Sequence, residues 1–427
     1  MLNHKLSLDT QAILLLCGSF GQNRKAEPKP LTLGEYNTLA SWLIAEEMSP
    51  EDLLNPILKE RLPQITIGKL DSKRLVTLLE RGMMLSLAVE KWTSQGLWVL
   101  GRGDAQYPKY LKQKLKHSAP AILYGVGNIE LLAQGGLAVV GSRDVDEQTL
   151  NYTHTVVRTC AKQGIQVVSG GARGVDQASM LGVLEAGGTA VGVLASCLTK
   201  EAVSGKYRQS IKEGRLALVS PYDPDVGFFV GNAMGRNKYI YALADYALVV
   251  SSSYGKGGTW TGAMEALEQI KNTPVFVRIQ ETVPEGNRQL LKQGAKIFSQ
   301  EPWHNSLKEL LEMQTSEVKS TKTEIDSTAA QVTNGRGNEQ GKMENGHLEV
   351  VKASSKDIIY QTVLPIILSH LDQPKDDQTL AESLDIQLGQ MRNWLKKALE
   401  EGKIIKTKKP VKYVVVNQKA EQLPLLN

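Results

Sequence analysis

VVSGGARGVDQASM, residues 167–180, joins a short apolar run to a glycine cluster with one arginine and then to a segment with helical spacing. This order is typical of a parallel strand that leads into an anion-binding loop. Glycines let backbone N–H groups approach an oxyanion, and the N-terminus of the following helix adds a favourable dipole. The stretch therefore predicts a strand–loop–helix unit that holds a phosphate, without saying which phosphate or whether chemistry is done to it.

Similar apolar runs, rich in Val, Leu and Ala and without polar alternation, recur on both sides of this stretch. They are LAVVGS (137–142), TAVGVLA (189–195), LALVSP (216–221), YALVVSS (246–252) and PVFVRI (274–279). Such runs are typical of strands buried on both faces, and the helical stretches between them indicate right-handed crossovers in a parallel sheet. The predicted fold class is α/β, a Rossmann-like three-layer parallel sheet in a domain over residues 96–312.

Three further regions differ from this pattern. Residues 1–95 show apolar spacing of the i, i+3, i+4 kind and predict a small helical N-terminal domain. Residues 313–353 are poor in apolar clusters, which predicts a flexible linker because such a segment cannot offset its chain entropy by burial. Residues 354–418 regain helical spacing in three segments and end in a basic, β-branched hairpin, the plan of a C-terminal winged helix.

Net charge, cysteine content and the length of the apolar runs limit the kinds of function that fit this sequence. The 427-residue chain has a formal net charge of only +5, so a polyanion must be met by local patches. Its three cysteines, Cys17, Cys160 and Cys197, are widely spaced and predict neither a disulfide framework nor a metal site. No apolar run approaches the length of a membrane span. We expect a cytoplasmic protein without a membrane segment, metal or cofactor.

The candidate binding residues follow strand ends and the start of one helix. In a doubly wound sheet, ligands bind at the carboxyl ends of the strands, so loops there are expected to share one edge. Glycines at such junctions also satisfy tight turns, but three glycine-rich loops on one predicted edge favour a binding site. The set is Gly141, Ser142 and Arg143; Ser169, Gly170, Gly171, Arg173 and Gly174; Gly257, Gly258 and Thr259; and Arg236, Asn237 and Lys238.

Two common nucleotide signatures are absent from the sequence. No predicted strand leads into G-x-G-x-x-G with an acidic residue about twenty positions later, which argues against a dinucleotide-dependent enzyme. No G-x-x-x-x-G-K-[ST] occurs either, which argues against a P-loop ATPase.

The motif order GSR, SGGARGVD, LEAGGTAVGVLA, RNKYIYALAD and GGTWTGA, over roughly residues 95–280, resembles the DNA-processing protein A (DprA/Smf) family. The resemblance implies a cytoplasmic, self-associating protein, a homodimer, that binds single-stranded DNA on a Rossmann-like domain and helps to load a RecA-type recombinase. It implies no catalytic reaction. Carried over to this sequence, Arg143, Ser169, Gly170, Arg173, Arg236, Asn237 and Lys238 would form the DNA pocket. The stretch SPYDPDVGFF, where many members have an acidic residue, indicates a divergent subgroup and leaves the biological setting open between transformation, recombination repair and defence.

Aromatic side chains near the predicted pocket offer stacking surfaces for bases. Bases of single-stranded DNA stack on aromatic rings, each contributing about 1–3 kcal/mol. Phe228, Phe229 and Trp260 lie in loop-like contexts and are the better candidates, whereas the spacing of Tyr241 predicts a core position.

Two alternative functions remain open at this point. The loop GGTWTGA resembles the G-G-x-G-T-x-x-E loop of nucleotide phosphoribohydrolases, but Gly262 stands where their catalytic Glu is expected and the nearest acid is Glu265. A purely structural or signalling nucleotide-binding module is the second alternative.

The predicted C-terminal winged helix has two possible roles, duplex DNA binding and protein interaction. Its candidate DNA contacts are Arg392, Lys396, Lys397, Lys406, Lys408 and Lys409.

Overall fold

The structure is a computed structural model. It describes residues 6–21, 28–270, 272–280, 284–299, 303, 306–314, 355–384, 386, 388–407 and 412–415. Internal contacts divide the chain into two units, Met1–Asp326 and Ser327–Asn427, and each is described by itself.

The first unit contains a nine-stranded sheet in the order β1-β2-β6-β5-β4-β3-β7-β8-β9. Its strands are β1 (Leu97–Gly101), β2 (Ile122–Gly127), β3 (Leu137–Gly141), β4 (Val167–Ser169), β5 (Ala190–Val193), β6 (Leu216–Ser220), β7 (Tyr246–Ser251), β8 (Val275–Val277) and β9 (Lys296–Ile297). Neighbours from β6 to β9 pair in parallel. The prediction of an α/β fold with a large, mostly parallel sheet is confirmed.

The prediction of an all-parallel sheet is wrong at one edge. Strand β2 pairs antiparallel with both β1 and β6. An apolar run carries no sign of its direction, and direction depends on the connection that precedes it, so the sequence pattern could not reveal this reversal.

Helices cover both faces of the sheet. They are α1 (Leu8–Cys17), α2 (Leu33–Ala45), α3 (Pro56–Arg61), α4 (Ser72–Leu79), α5 (Gly82–Ser94), α6 (Lys109–Leu115), α7 (Glu147–Lys162), α8 (Val175–Glu185), α9 (Leu198–Ala202), α10 (Gly205–Lys212), α11 (Val230–Leu243), α12 (Gly257–Gln269) and α13 (Glu285–Lys292), followed by α14 (307–314). Strand residues alternate between two cores: Val139 belongs to one cluster, Ala138 and Val140 to the other. The sheet is therefore the middle of three layers.

The N-terminal helices α1 to α5 pack into the same hydrophobic cluster as one face of the sheet. A polar contact adds to this packing, because Thr10 Oγ1 of α1 accepts a hydrogen bond from the Gly101 N–H of β1 at 3.0 Å and donates to Asp104 at 2.7 Å. The separation of residues 1–95 as a domain of their own stays a prediction.

The second unit contains α15 (Ser355–Ser369), α16 (Asp377–Ser383), α17 (Leu388–Glu400) and an antiparallel pair, β10 (Ile404–Lys406) and β11 (Tyr413–Val415). Ile367, Leu380 and Leu395 contribute fully buried side chains to its own core. Nearly all of the predicted linker, from 315 onwards, lies outside the described residues. Across the described ranges, no helix has both the length and the apolar character needed to cross a membrane.

Candidate nucleic-acid interface

The candidate site lies at the carboxyl ends of the central strands. Strand β3 lies between β4 and β7, and the chain proceeds from β3 outward to one side before it returns to β7 on the other. The loops after β3 and β7 diverge at this reversal, which is where doubly wound sheets leave a crevice for ligands. Ser142 joins the two loops, since its N–H and its hydroxyl both donate to the Ser251 carbonyl, at 3.0 and 3.1 Å.

A cation and an aromatic ring are exposed together at this edge. The Arg143 guanidinium, which follows β3, lies 5.6 Å from the centre of the Phe228 ring. Arg143 is exposed, and Phe228 keeps 46% of its surface in solvent. The pair presents a positive charge and an apolar face side by side.

A second exposed cation lies on the neighbouring loop after β4. Arg173 forms an ion pair with Asp144, and the side chains remain 73% and 86% exposed. Such an exposed pair contributes only about 0.2–1 kcal/mol, so an incoming phosphate can compete for the arginine. We define the carboxyl-edge surface as Arg143, Arg173 and Phe228 with the loops that carry them.

A buried ion pair lies beneath these loops. The Arg236 Nη1 of α11 is 3.7 Å from the Asp176 Oδ2 of α8, and the two residues are only 4% and 7% exposed. The Asp176 carboxylate also accepts a hydrogen bond from the Gly141 N–H at 3.3 Å. Burial raises the pKa of Asp176, while the charge of Arg236 opposes that rise. The pair holds the end of β3 and two helices together.

Gly170 leaves the space that this pair occupies. A Cβ at residue 170 would lie 1.4 Å from the Arg236 Nη1 and 2.4 Å from the Asp176 Oδ2. Gly174 has a different reason to be glycine, because its φ is +86° and a Cβ would lie 2.4 Å from the Ser142 carbonyl oxygen. Turn geometry and close packing together explain these glycines.

The structure places Arg236, Asn237 and Lys238, predicted as one set of ligand contacts, in three different surroundings. Consecutive helix residues point about 100° apart, so the three side chains diverge. Arg236 is buried under the loops, and the Asn237 amide donates to the Gly258 carbonyl at 2.9 Å, which links α11 to α12. Lys238 points elsewhere, into a depression that it shares with Glu265.

The remaining predicted residues are divided between surface and interior. Ser169 is fully buried, and its hydroxyl donates to the Val139 carbonyl at 2.6 Å, so it is not a surface contact. Gly257 is exposed and Gly258 and Thr259 are partly buried at the start of α12, while Gly171 is partly buried on the loop after β4. A role of these residues in DNA binding stays a prediction.

The aromatic residues considered as stacking surfaces differ in how exposed they are. Trp260 is partly buried and meets the 57% exposed Tyr254 edge-on, with ring centres 5.1 Å apart. Phe229 occupies the N-cap position of α11 and is partly buried. Tyr241 is 1% exposed, which confirms its predicted core position. Phe228 is the most accessible ring beside a cation at this edge.

Two groups that matter here give only weak sequence signals. Asp144 follows GSR directly, but nothing in its local pattern indicates that it pairs with Arg173. Asp176 lies in the first turn of α8, where an acidic residue favours the helix dipole. The only sequence clue to its pairing with Arg236 is that it follows a glycine-rich loop directly.

The phosphoribohydrolase alternative meets an obstacle in α12. Gly262, at the position of the expected acid, packs against Asn237, and a Cβ at residue 262 would lie only 3.0 Å from the Asn237 Cβ. Glu265 lies one helical turn further on, where burial raises its pKa and Lys238 opposes the rise. Among the described residues, no group of three His, Cys, Asp or Glu side chains is placed to hold a metal ion.

The candidate cations of the second unit are largely engaged within it. On α17, Arg392 pairs with Asp377 at 2.5 Å and Lys396 with Glu400 at 3.9 Å. Lys397 lies 4.5 Å from the Tyr360 ring centre, and Lys406 of β10 lies 5.7 Å from that of Tyr413. Lys408 and Lys409 lie outside the described residues.

A doubly wound α/β unit with glycine loops and arginines at its carboxyl edge defines a Rossmann-like protein. Residues 98–309 match the family described as DNA recombination-mediator protein A. Residues 98–309 therefore belong to this DprA/Smf family, which confirms the resemblance found in the sequence.

Individual relatives agree with this assignment. The chain is 32% identical to the protein Smf of Escherichia coli over 186 residues, which covers 42% of this chain and 49% of that protein. It is 26% identical to the DNA processing protein DprA of Bacillus subtilis over 231 residues, 51% of this chain and 74% of that protein. The chain thus spans about half the length of the Escherichia coli relative.

A solved structure shares the fold. DprA from Streptococcus pneumoniae superposes with a TM-score of 0.53 at 20% sequence identity, covering 69% of this chain and 95% of that structure.

Proposed function

We propose that this protein binds single-stranded DNA at the carboxyl-edge surface and acts as a recombination mediator rather than as an enzyme. The observation that carries the proposal is the pairing of Arg143 with the exposed ring of Phe228 at 5.6 Å. Binding of single strands without sequence preference needs a cation for the backbone and an aromatic face for a base, and this edge offers both.

The cations and the exposed ring of the carboxyl-edge surface together favour a single strand over a duplex. Arg143 and Arg173 supply charge to phosphates, which releases counterions and makes binding weaker as salt rises. Stacking on Phe228 requires an unpaired base, since the bases of a duplex are stacked on one another. The buried pair of Arg236 and Asp176 then has a positioning role, because it holds the loops that present the surface residues.

The proposed role in recombination rests on the similarity to the DprA/Smf family. Two relatives are named DNA processing protein DprA, and we propose that this chain, as a homodimer, helps to load a RecA-type recombinase on the strand that it binds. We propose further that α15 to α17 with the β10–β11 pair form a winged helix that contacts duplex DNA. The order of three helices and a two-stranded sheet supports this part.

Fluorescence anisotropy with a labelled oligo-dT strand tests the site. We expect Arg143→Ala to lose about 1.5–3 kcal/mol of binding free energy, roughly 10- to 150-fold in affinity, if it makes a charge-assisted phosphate contact. Phe228→Ala should lose about 1–3 kcal/mol, and Phe228→Tyr should retain binding because the ring is kept. Arg158→Ala, an exposed arginine on α7, is the matched control and should bind like the parent.

Normal melting of each variant shows that binding, not folding, has changed. If Arg143→Ala and Phe228→Ala both fold and bind as tightly as Arg158→Ala, the proposed surface is in the wrong place. Release of free base from nucleoside monophosphates above the buffer rate would instead favour the phosphoribohydrolase alternative.

A further inference from the structure

A depression of about 420 Å³ lies between α6, α11 and α12. Its volume falls in the range of small-molecule sites, about 300–1,000 Å³. Lys114, Lys116 and Lys238 line it together with one acid, Glu265, and with neutral polar side chains such as Gln269. We call this feature, defined by the three lysines and Glu265, the lysine depression.

Lys114 is a partly buried cation with neutral partners. Its Nζ donates to the Ala244 carbonyl and to the Thr273 hydroxyl, the latter at 2.8 Å. It forms no ion pair with any residue in the described part of the chain. Burial lowers the pKa of Lys114 to about 8, although the more distant charge of Asp245 opposes the shift. This ammonium group is therefore only partly compensated inside the protein.

The two other lysines add charge at the wall of the depression. Lys116 adopts φ +50° and ψ −118°, which non-glycine residues rarely adopt. Such strained backbone costs about 1–3 kcal/mol and tends to persist at ligand sites. Lys238 lies 5.4 Å from the Tyr239 ring centre, and neither lysine is ion-paired to another described residue.

The side chains that line the lysine depression carry a net positive charge, which favours binding of an anion. Three ammonium groups face one carboxylate, and burial raises the pKa of that carboxylate, Glu265, with Lys238 opposing. A dianion would compensate the excess charge, and phosphate oxygens accept hydrogen bonds from ammonium groups over a wide range of directions. The space exceeds the need of inorganic phosphate alone.

The lysine depression is separate from the carboxyl-edge surface. Ala244 and Thr273, which hold Lys114, precede β7 and β8 and so lie at the amino ends of the strands. The six residues of β7 span roughly 20 Å between the two edges. A strand bound at the carboxyl-edge loops does not need these lysines.

We propose that the lysine depression binds a small phosphate monoester of nucleotide size, at a site independent of the one proposed for DNA. The phosphate would lie between Lys114 and Lys238, and the organic part would occupy the remaining space toward Gln269.

Isothermal titration of the full chain with AMP tests this, with adenosine and inorganic phosphate as comparison probes. We expect AMP to bind more tightly than phosphate, and adenosine to show no binding. Lys238→Gln and Lys114→Gln should each weaken AMP binding at least tenfold. Lys112→Gln, on the same helix but against the Tyr107 ring, is the matched control and should bind AMP like the parent.

Several results would overturn the proposal. They are no AMP binding up to about 5 mM, adenosine binding as tight as AMP binding, or AMP binding that survives Lys238→Gln but is lost in Arg143→Ala. Should Lys114→Gln fold poorly, Lys238→Gln still decides, because its side chain is not part of the core. Unchanged oligo-dT affinity in Lys238→Gln separates this site from the proposed DNA site; a matching loss of DNA and AMP affinity would instead make the lysines part of the DNA path.

Discussion

The carboxyl-edge surface and helix α17 both carry cations, but they differ in what neutralises them. At the carboxyl edge, Arg143 contacts an aromatic ring and forms no ion pair with a described residue, so its charge is open to a ligand. On α17, Arg392 and Lys396 each face a carboxylate of their own unit. Exposed ion pairs that a phosphate can compete for occur in both regions, Arg173 with Asp144 and Lys396 with Glu400. The carboxyl edge ranks higher because Arg143 is paired with no described carboxylate, which a count of basic residues does not reveal.

The carboxyl edge also contains both extremes of ion-pair burial. Asp176 and Arg236 are buried under the loops, whereas Asp144 and Arg173 lie in solvent. Breaking a buried pair leaves an uncompensated charge, while an exposed pair is solvated on both sides. The same pair of residue types therefore has a structural role in one place and is available for binding in the other.

The largest expected effect comes from the buried pair. Asp176→Asn keeps the shape of the side chain but removes the charge opposite Arg236, and we expect it to lower the free energy of unfolding by about 3–5 kcal/mol. Asp144→Asn, the matched change in the exposed pair, should lower it by less than about 1 kcal/mol. Urea denaturation measures both; equal losses in the two variants would contradict the distinction.

Close packing at Gly170 gives the next largest effect. Gly170→Ala places a Cβ against the guanidinium of Arg236, and we expect a loss of about 1–3 kcal/mol in stability with some displacement of the loop. Gly258→Ala at the same edge is the control, because its Cβ would meet its nearest neighbour, Asn237, at an ordinary 3.4 Å. Thermal melting of the pair is the measurement, and equal melting temperatures would show that the loop yields freely.

A smaller effect should appear in DNA binding when Arg173 is released. Asp144→Asn removes the partner that competes with phosphate, and we expect oligo-dT affinity to rise about two- to fivefold at low salt, in line with the weakness of exposed pairs. Anisotropy titrations at two salt concentrations measure it. An unchanged or lower affinity would show that Arg173 does not contact the strand.

The smallest effect is expected on α17. Arg392→Ala should change duplex DNA affinity less than about twofold, because its partner Asp377 is only 23% exposed and stays beside the charge, unlike the exposed Asp144 that faces Arg173. Glu400→Gln is the converse change and should raise duplex affinity slightly by freeing Lys396. A large loss of duplex binding in Arg392→Ala, with single-strand binding intact, would reverse the ranking of the two regions.

Much of the first unit could be predicted because its signals are local. The apolar run at the start of residues 167–180 and the others like it correspond to β4 and its parallel neighbours, since a strand buried on both faces needs continuous apolar residues. The apolar runs do not identify β1 and its partner β2, nor β9, whose two residues give no run to detect. The reversal of β2 depends on chain connections that lie outside the strand itself.

The sequence alone was sufficient for the α/β class, the order of the glycine loops on the central strands and the family, because each is recognised from short segments and their order along the chain. Which cations meet solvent is a property of the tertiary packing. Arg236, Asn237 and Lys238 are consecutive, yet the helix turns them toward a buried carboxylate, a neighbouring helix and a separate depression. Burial and pairing depend on what packs against each face, and those neighbours come from distant parts of the chain.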